Sequence, residues 1–141
     1  MTCFAVIDTN VLISALLSKH DDSATVQVIE RVLEGIIIPI YSDSILNEYK
    51  KVLKYQKFNF TTDLIDYLID VIEKHGVRLN PSPLNCVLQD MADLPFYELI
   101  VEVKDDDTYL VTGNSKHFPT ESHIVTPRKL IEILDSINKT N

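Results

Sequence analysis

A three-layer α/β/α sandwich, with helices on both faces of a central, mainly parallel sheet of four to five strands, is the architecture this sequence predicts. Short apolar runs alternate with helical stripes along the chain, and most of the runs end in a polar turn. With 141 residues and 45% hydrophobic content, residues 1–141 read as one domain able to bury a core.

The first run, Phe4-Ala5-Val6-Ile7, predicts a buried strand whose carboxyl end delivers the turn Asp8-Thr9-Asn10 to an open edge. Val11-Leu12-Ile13 begins a helix. Lys19 to Ser23 is a polar loop and cap, after which Val26, Ile29, Val32 and Leu33 keep helical spacing up to the stop at Gly35. Ile36 to Ile40 is β-branched and reads as a second strand, with Pro39 expected near its end, where a ladder donor can be spared. Ser42 then caps a helix striped by Ile45, Tyr49, Val52 and Leu53, and Glu48 lies beside that stripe.

Thr61-Thr62 open a further helix carrying Leu64, Ile65, Leu68, Ile69, Val71 and Ile72, which ends at His75-Gly76. Val77-Arg78-Leu79 is a third short strand, and the proline-rich stretch from Asn80 to Asn85 is a connection. Pro95 suits the first turn of a helix running to Val103, which places Asp93 at its start. Tyr109 to Thr112 is a fourth strand closed by Gly113-Asn114. His123-Ile124-Val125 is the last, and Thr126-Pro127 starts the final helix. In a parallel sheet of this kind, ligands bind beyond the carboxyl ends of the strands.

Composition narrows the function. The apolar runs are far shorter than a membrane span, and the amino terminus lacks the basic and apolar parts of a secretory signal, so a cytoplasmic location is expected. Cys3 and Cys86 form no CxxC or Cys/His cluster and are expected to be buried, reduced thiols. A formal charge of −8 opposes a polyanionic partner unless basic side chains are concentrated in one place.

Asp8, Glu48 and Asp93 are all expected at the same rim of the sheet. Carboxylates about 4 Å apart repel by roughly 4 kcal/mol at an effective dielectric near 20, a conflict that a divalent cation removes. Oxygen ligands without His or Cys select a hard ion, Mg²⁺ or Mn²⁺. Lys50, Lys54 and Lys57, with Lys51 and Tyr55 adjacent, follow Glu48 and are a candidate guide for a nucleic-acid backbone, although lysines at this spacing also suit a solvated helix face. His117 and His123 read as structural, the tyrosines as core or rim side chains, and Asp105-Asp106-Asp107 as a solvated loop.

These residues resemble the PIN-domain family, the fold of VapC-type toxins and related ribonucleases. The opening Asp8-Thr9-Asn10-Val11-Leu12-Ile13-Ser14, the segment Ser44-Ile45-Leu46-Asn47-Glu48 and the segment Asp90-Met91-Ala92-Asp93-Leu94-Pro95-Phe96 look like its successive acidic motifs. Tyr109-Leu110-Val111-Thr112-Gly113-Asn114 falls where the family places a strand ending in Thr-Gly-Asp. The resemblance implies Mg²⁺ or Mn²⁺, hydrolysis of RNA phosphodiesters, and often a dimer held by an antitoxin.

On this reading Asp8 and Asp93 are direct metal ligands and Glu48 a water-mediated ligand or base, with Asn10, Thr112 and Asn114 in support. Metal-activated water attacks in line while the leaving 3′ oxygen is stabilised electrostatically. Asn114 departs from the family pattern: an amide brings no negative charge and accepts no proton at neutral pH. One tightly held metal is therefore expected, with any second ion completed by substrate phosphate. Two other readings compete. An aspartyl phosphatase would use Asp8 as nucleophile but wants a second aspartate where Asn10 stands. A PIN-fold module of weakened catalysis would bind RNA or a protein partner.

Overall fold

The computed structural model describes residues 2–103, 105 and 107–140, so Asp106 of the acidic loop lies outside the described residues. Five strands and six helices alternate along them: β1 (Cys3–Ile7), α1 (Thr9–Leu17), α2 (Ala24–Leu33), β2 (Ile37–Tyr41), α3 (Asp43–Leu53), α4 (Thr62–His75), β3 (Val77–Arg78), α5 (Leu94–Val103), β4 (Thr108–Val111), β5 (Ile124–Val125) and α6 (Pro127–Thr140). All four strand pairings are parallel, in the order β3-β2-β1-β4-β5. Helices sandwich the sheet, as the alternation predicts.

That strand order fixes where a ligand can sit. The chain runs outward from β1 through β2 to β3, then returns across the sheet to β4 on the other side of β1. Connections diverge at the carboxyl ends of β1 and β4, and such divergence opens a crevice between the loops. Asp8 follows β1 and Thr112 follows β4, which brings two residues 104 positions apart into contact.

Local chemistry sets the helix ends. Ser23 and Ser42 each accept a hydrogen bond from the amide three residues on, and Thr61 does the same for Leu64. Gly35 ends the α2 turn at φ +79°, a left-handed backbone that glycine adopts without penalty. Gly76 has a different reason. A Cβ there would lie 2.4 Å from the Ile72 carbonyl oxygen and 2.7 Å from that of Pro39, so only glycine lets α4 turn directly into β3.

Pro39 corrects one expectation, because it sits in the middle of β2, opposite Ala5, and not near the strand's end. The Cys3 amide donates to the Ile36 carbonyl, so backbone bonds to β1 fall on the even positions of β2 and the Pro39 nitrogen faces β3. Pairing with β3 begins only at Ile40, so the missing donor has no acceptor to leave unmet.

The core lies between sheet and helices. β1 and β4 contribute fully buried Ala5, Val6, Leu110 and Val111, while Leu99 and Ile100 of α5 pack over them. Each fully buried large aliphatic side chain contributes about 1.5–3 kcal/mol. Of the two free thiols, Cys3 is buried as expected, with burial and then the Asp107 charge pushing it up to about 11. Cys86 is only half-buried, because it lies in the irregular connection before α5.

A carboxylate rim as candidate active site

Asp8 occupies the N-cap position of α1 and is 3% exposed. The fully buried Thr112 hydroxyl donates to its Oδ2 at 2.7 Å. Burial raises the Asp8 pKa above the usual carboxylate range. That hydroxyl and the nearby Asn10 and Thr9 amides pull it back, without completing a capping hydrogen bond. Thr112 has a second task, accepting the Asn114 amide at 3.0 Å, so one hydroxyl fixes both the Asp8 carboxylate and the turn that carries Asn114.

Glu48 comes from the second turn of α3. The Thr9 hydroxyl donates to its Oε2, and on the next residue the Tyr49 hydroxyl donates to the Ile7 carbonyl. These two bonds tie α3 to the carboxyl end of β1. Tyr49 is buried, which with the Asp8 and Glu48 charges pushes its phenol far up and keeps it a neutral donor. The Glu48 pKa is raised by burial first; the charges of Asp8 and Asp90 add to the rise, while the Thr9 hydrogen bond and Lys51 oppose it.

Asp93 ends the short 3-10 turn Met91–Asp93, from which α5 continues with Pro95 in its first turn. The cap of this turn is Asp90, whose Oδ1 accepts the Ala92 amide at 3.0 Å, so Asp93 is free of capping. Its Oδ2 is buried without a hydrogen-bond partner, and His117 Nδ1 lies 3.7 Å away. Desolvation, followed by the charges of Asp8 and Asp90, pushes Asp93 up to about 6. His117 lowers it and Glu48 raises it.

The charge of Asp8 therefore reaches both Glu48 and Asp93, and that of Glu48 reaches Asp93, at a single rim, with Asn114 held beside them through Thr112. Among the described residues no group of three or more His, Cys, Asp or Glu side chains is set to hold a metal ion as it stands. The Thr112 and Thr9 hydrogen bonds anchor Asp8 and Glu48 to separate supports. The donor chemistry nevertheless suits a hard divalent cation: oxygen ligands, carboxylates disfavoured as neighbouring charges, and one buried oxygen with its coordination unmet. Family-implied Mg²⁺ or Mn²⁺ fits these residues.

Two further side chains neighbour the site, of which Asp90 reads in the sequence as standing behind the ligands or at the surface. Asp90 reaches both Glu48 and Asp93 electrostatically. His117, read as structural, is brought back to Asp93 and Asp8 by the 3-10 turn Ser115–His117, in which its amide bonds the Asn114 carbonyl. Its spacing three residues after Asn114 was the available signal, since one tight turn returns the chain to its start. His123 instead bonds the Thr108 carbonyl at the opposite end of β4.

The lysines are divided. Lys50 and Lys54 line a cleft between α3 and α4 with Asp66, Asp70 and Glu73, where neighbouring carboxylates offset their charge. Lys57 lies elsewhere, its ammonium 5.1 Å from the centroid of the Phe58 ring. Among the described residues no helix is long and apolar enough to cross a membrane.

No curated protein matches the chain. The family model of the PIN domain does, over residues 5–116, a span that runs from within β1 to beyond β4 and includes every carboxylate of the rim. The chain belongs to the PIN-domain family, whose fold is generally that of nucleases acting with divalent metal ions.

Proposed function

We propose that this chain is a divalent-metal-dependent endoribonuclease that hydrolyses RNA phosphodiester bonds, and that it is the toxin of a toxin–antitoxin pair. The nuclease reading rests on one observation: Asp8, Glu48 and Asp93 share an electrostatic field where strand order reverses, and a buried Asp93 oxygen there has no hydrogen-bond partner. The toxin reading rests on the likeness of the segments around Asp8, Glu48 and Asp93 to VapC-type toxins. It extends to an antitoxin as protein partner, a homodimer as working assembly and a cytoplasmic location.

Asp8, Glu48 and Asp93 are the residues that would hold Mg²⁺ or Mn²⁺, which when bound supplies charge for a phosphoryl oxygen and a water of lowered pKa. Thr112 keeps the Asp8 carboxylate at the rim, and Thr9 holds Glu48. With its pKa raised, Glu48 is suited to take a proton closer to neutral pH than an ordinary glutamate. Asn10 and Asn114 present amides that can hold phosphate or sugar oxygens without adding charge.

The test is cleavage of a mixed RNA pool with Mn²⁺ or with chelator. Wild type should cleave only with Mn²⁺, and Asp8→Asn should be slower by on the order of 100-fold or more. The metal-free melt of Asp8→Asn should be unchanged or raised, because a buried charge is gone. Cleavage by Asp8→Asn at the wild-type rate would exclude this chemistry. Asn114 favours a second reading, a PIN-fold module that binds RNA or a protein partner; metal-free RNA retention without cleavage by wild type would establish it.

A further inference from the structure

We propose that the recess beside the carboxylate rim takes one unpaired base of the RNA strand, with Phe58 as the side chain that stacks on it. The inference rests on the nuclease reading for the identity of the polymer. The recess has a volume of about 430 Å³, and its lining includes Phe58, Asn10, Ser14, Thr25 and Asn114. That size falls within the roughly 300–1,000 Å³ of small-ligand sites. It is continuous with the rim, because Asn10 follows Asp8 by two residues and Asn114 is tied through Thr112 to the Asp8 carboxylate.

Phe58 is presented by the connection between α3 and α4. The 3-10 turn Gln56–Phe58 ends at Asn59, whose φ of 55° is a left-handed backbone that asparagine tolerates better than most residues. This turn lays three rings nearly parallel: Tyr55 to Phe58 at 6.4 Å and 13°, and Phe58 to Phe60 at 5.6 Å and 14°. Phe58 and Phe60 also pack partly on the core, which steadies the stack. Tyr55 is 41% exposed, so the tyrosines are not all core or rim residues.

An unpaired base has an apolar π-face and an edge of donors and acceptors. The lining matches both: an aromatic ring for the face and the Ser14 and Thr25 hydroxyls for the edge, beside the Asn10 and Asn114 amides that take phosphate or sugar oxygens. Lys57 adds a cation beside the ring, in a chain of net charge −8 whose Lys50 and Lys54 face carboxylates. That combination of ring and cation is how single strands are held.

The chain has no tryptophan, so Phe58→Trp installs a single reporter. The probe is a mixed-sequence RNA decamer with chelator, bound to the 141-residue chain in an Asp8→Asn background so that it stays uncut. A sugar-phosphate decamer lacking bases serves as control. The RNA should quench the introduced tryptophan and the base-free strand should not, nor should either quench Tyr67→Trp on α4. Phe58→Ala should weaken RNA binding roughly 5- to 150-fold, the value of one base stack. Phe58→Leu, which preserves the apolar cover, should lose nearly as much. Tight RNA binding without quenching, or binding indifferent to both substitutions, overturns the base site and leaves the recess to a protein side chain. Failure of the RNA decamer to bind overturns it too. Wild-type cleavage of the RNA pool judges the nuclease reading separately.

Discussion

Asp93 shows how much one side chain's surroundings decide. Its pKa of about 6 means that the folded protein holds the Asp93 proton more tightly than the unfolded chain, whose ordinary value is 3.8. Between these values the native state binds more protons, so stability falls as pH rises. The cost is absent below about 3.8 and complete above about 6. Metal-free wild type should therefore lose urea resistance from pH 4 to pH 7 relative to Asp93→Asn, and equal slopes would contradict this. Asp8 and Glu48 are raised for the same first reason, burial, and add slopes of the same sign. The residue types at these positions were legible in the sequence, since Asp8 follows a recognisable strand, Glu48 lies within a capped helix and Asp93 stands at the start of another. Their supports were less so: Thr9 bonds across 39 positions, and its hydroxyl's direction depends on packing that no local pattern encodes.

Among the secondary-structure elements, helix starts were the most readable, because Ser23, Ser42, Thr61 and Thr126 are capping residues ahead of apolar stripes. Strand ends shifted by a residue, and Pro39 moved to mid-strand because its tolerance depends on how short β3 is. The α4–β3 junction is the tightest of these connections. Gly76→Ala would push a methyl into two carbonyl oxygens, and overpacking of this sort costs about 1–3 kcal/mol. A lower thermal midpoint in Gly76→Ala, with Gly35 untouched as internal reference, is the expected outcome; an unchanged midpoint would mean that the junction relaxes freely. The bidentate pair between Arg78 and Asp43, with Asn80 beside it, ties β3 to the first turn of α3 and was not foreseeable from spacing.

For the chain as one object, alternation of strand and helix sufficed to predict a parallel sheet, and the strand order then explains why residues 8 and 112 meet. The net charge of −8 looked like an obstacle to a polyanion. Part of it is concentrated where the charges of Asp8 and Asp90 raise the proton affinities of Glu48 and Asp93, and a cation held there would relieve that strain and stabilise the fold by mass action. What the sequence could not convey is that the Thr9 and Thr112 hydroxyls hold Glu48 and Asp8 in place. The most direct measurement is a Mn²⁺ titration of the metal-free protein by calorimetry, with thermal melts alongside. One tight site and a rising melting temperature are predicted for wild type, both lost in Asp8→Asn and in Asp93→Asn. A wild type that neither binds Mn²⁺ nor melts higher in it, or variants that bind it equally well, would contradict a metal-dependent rim.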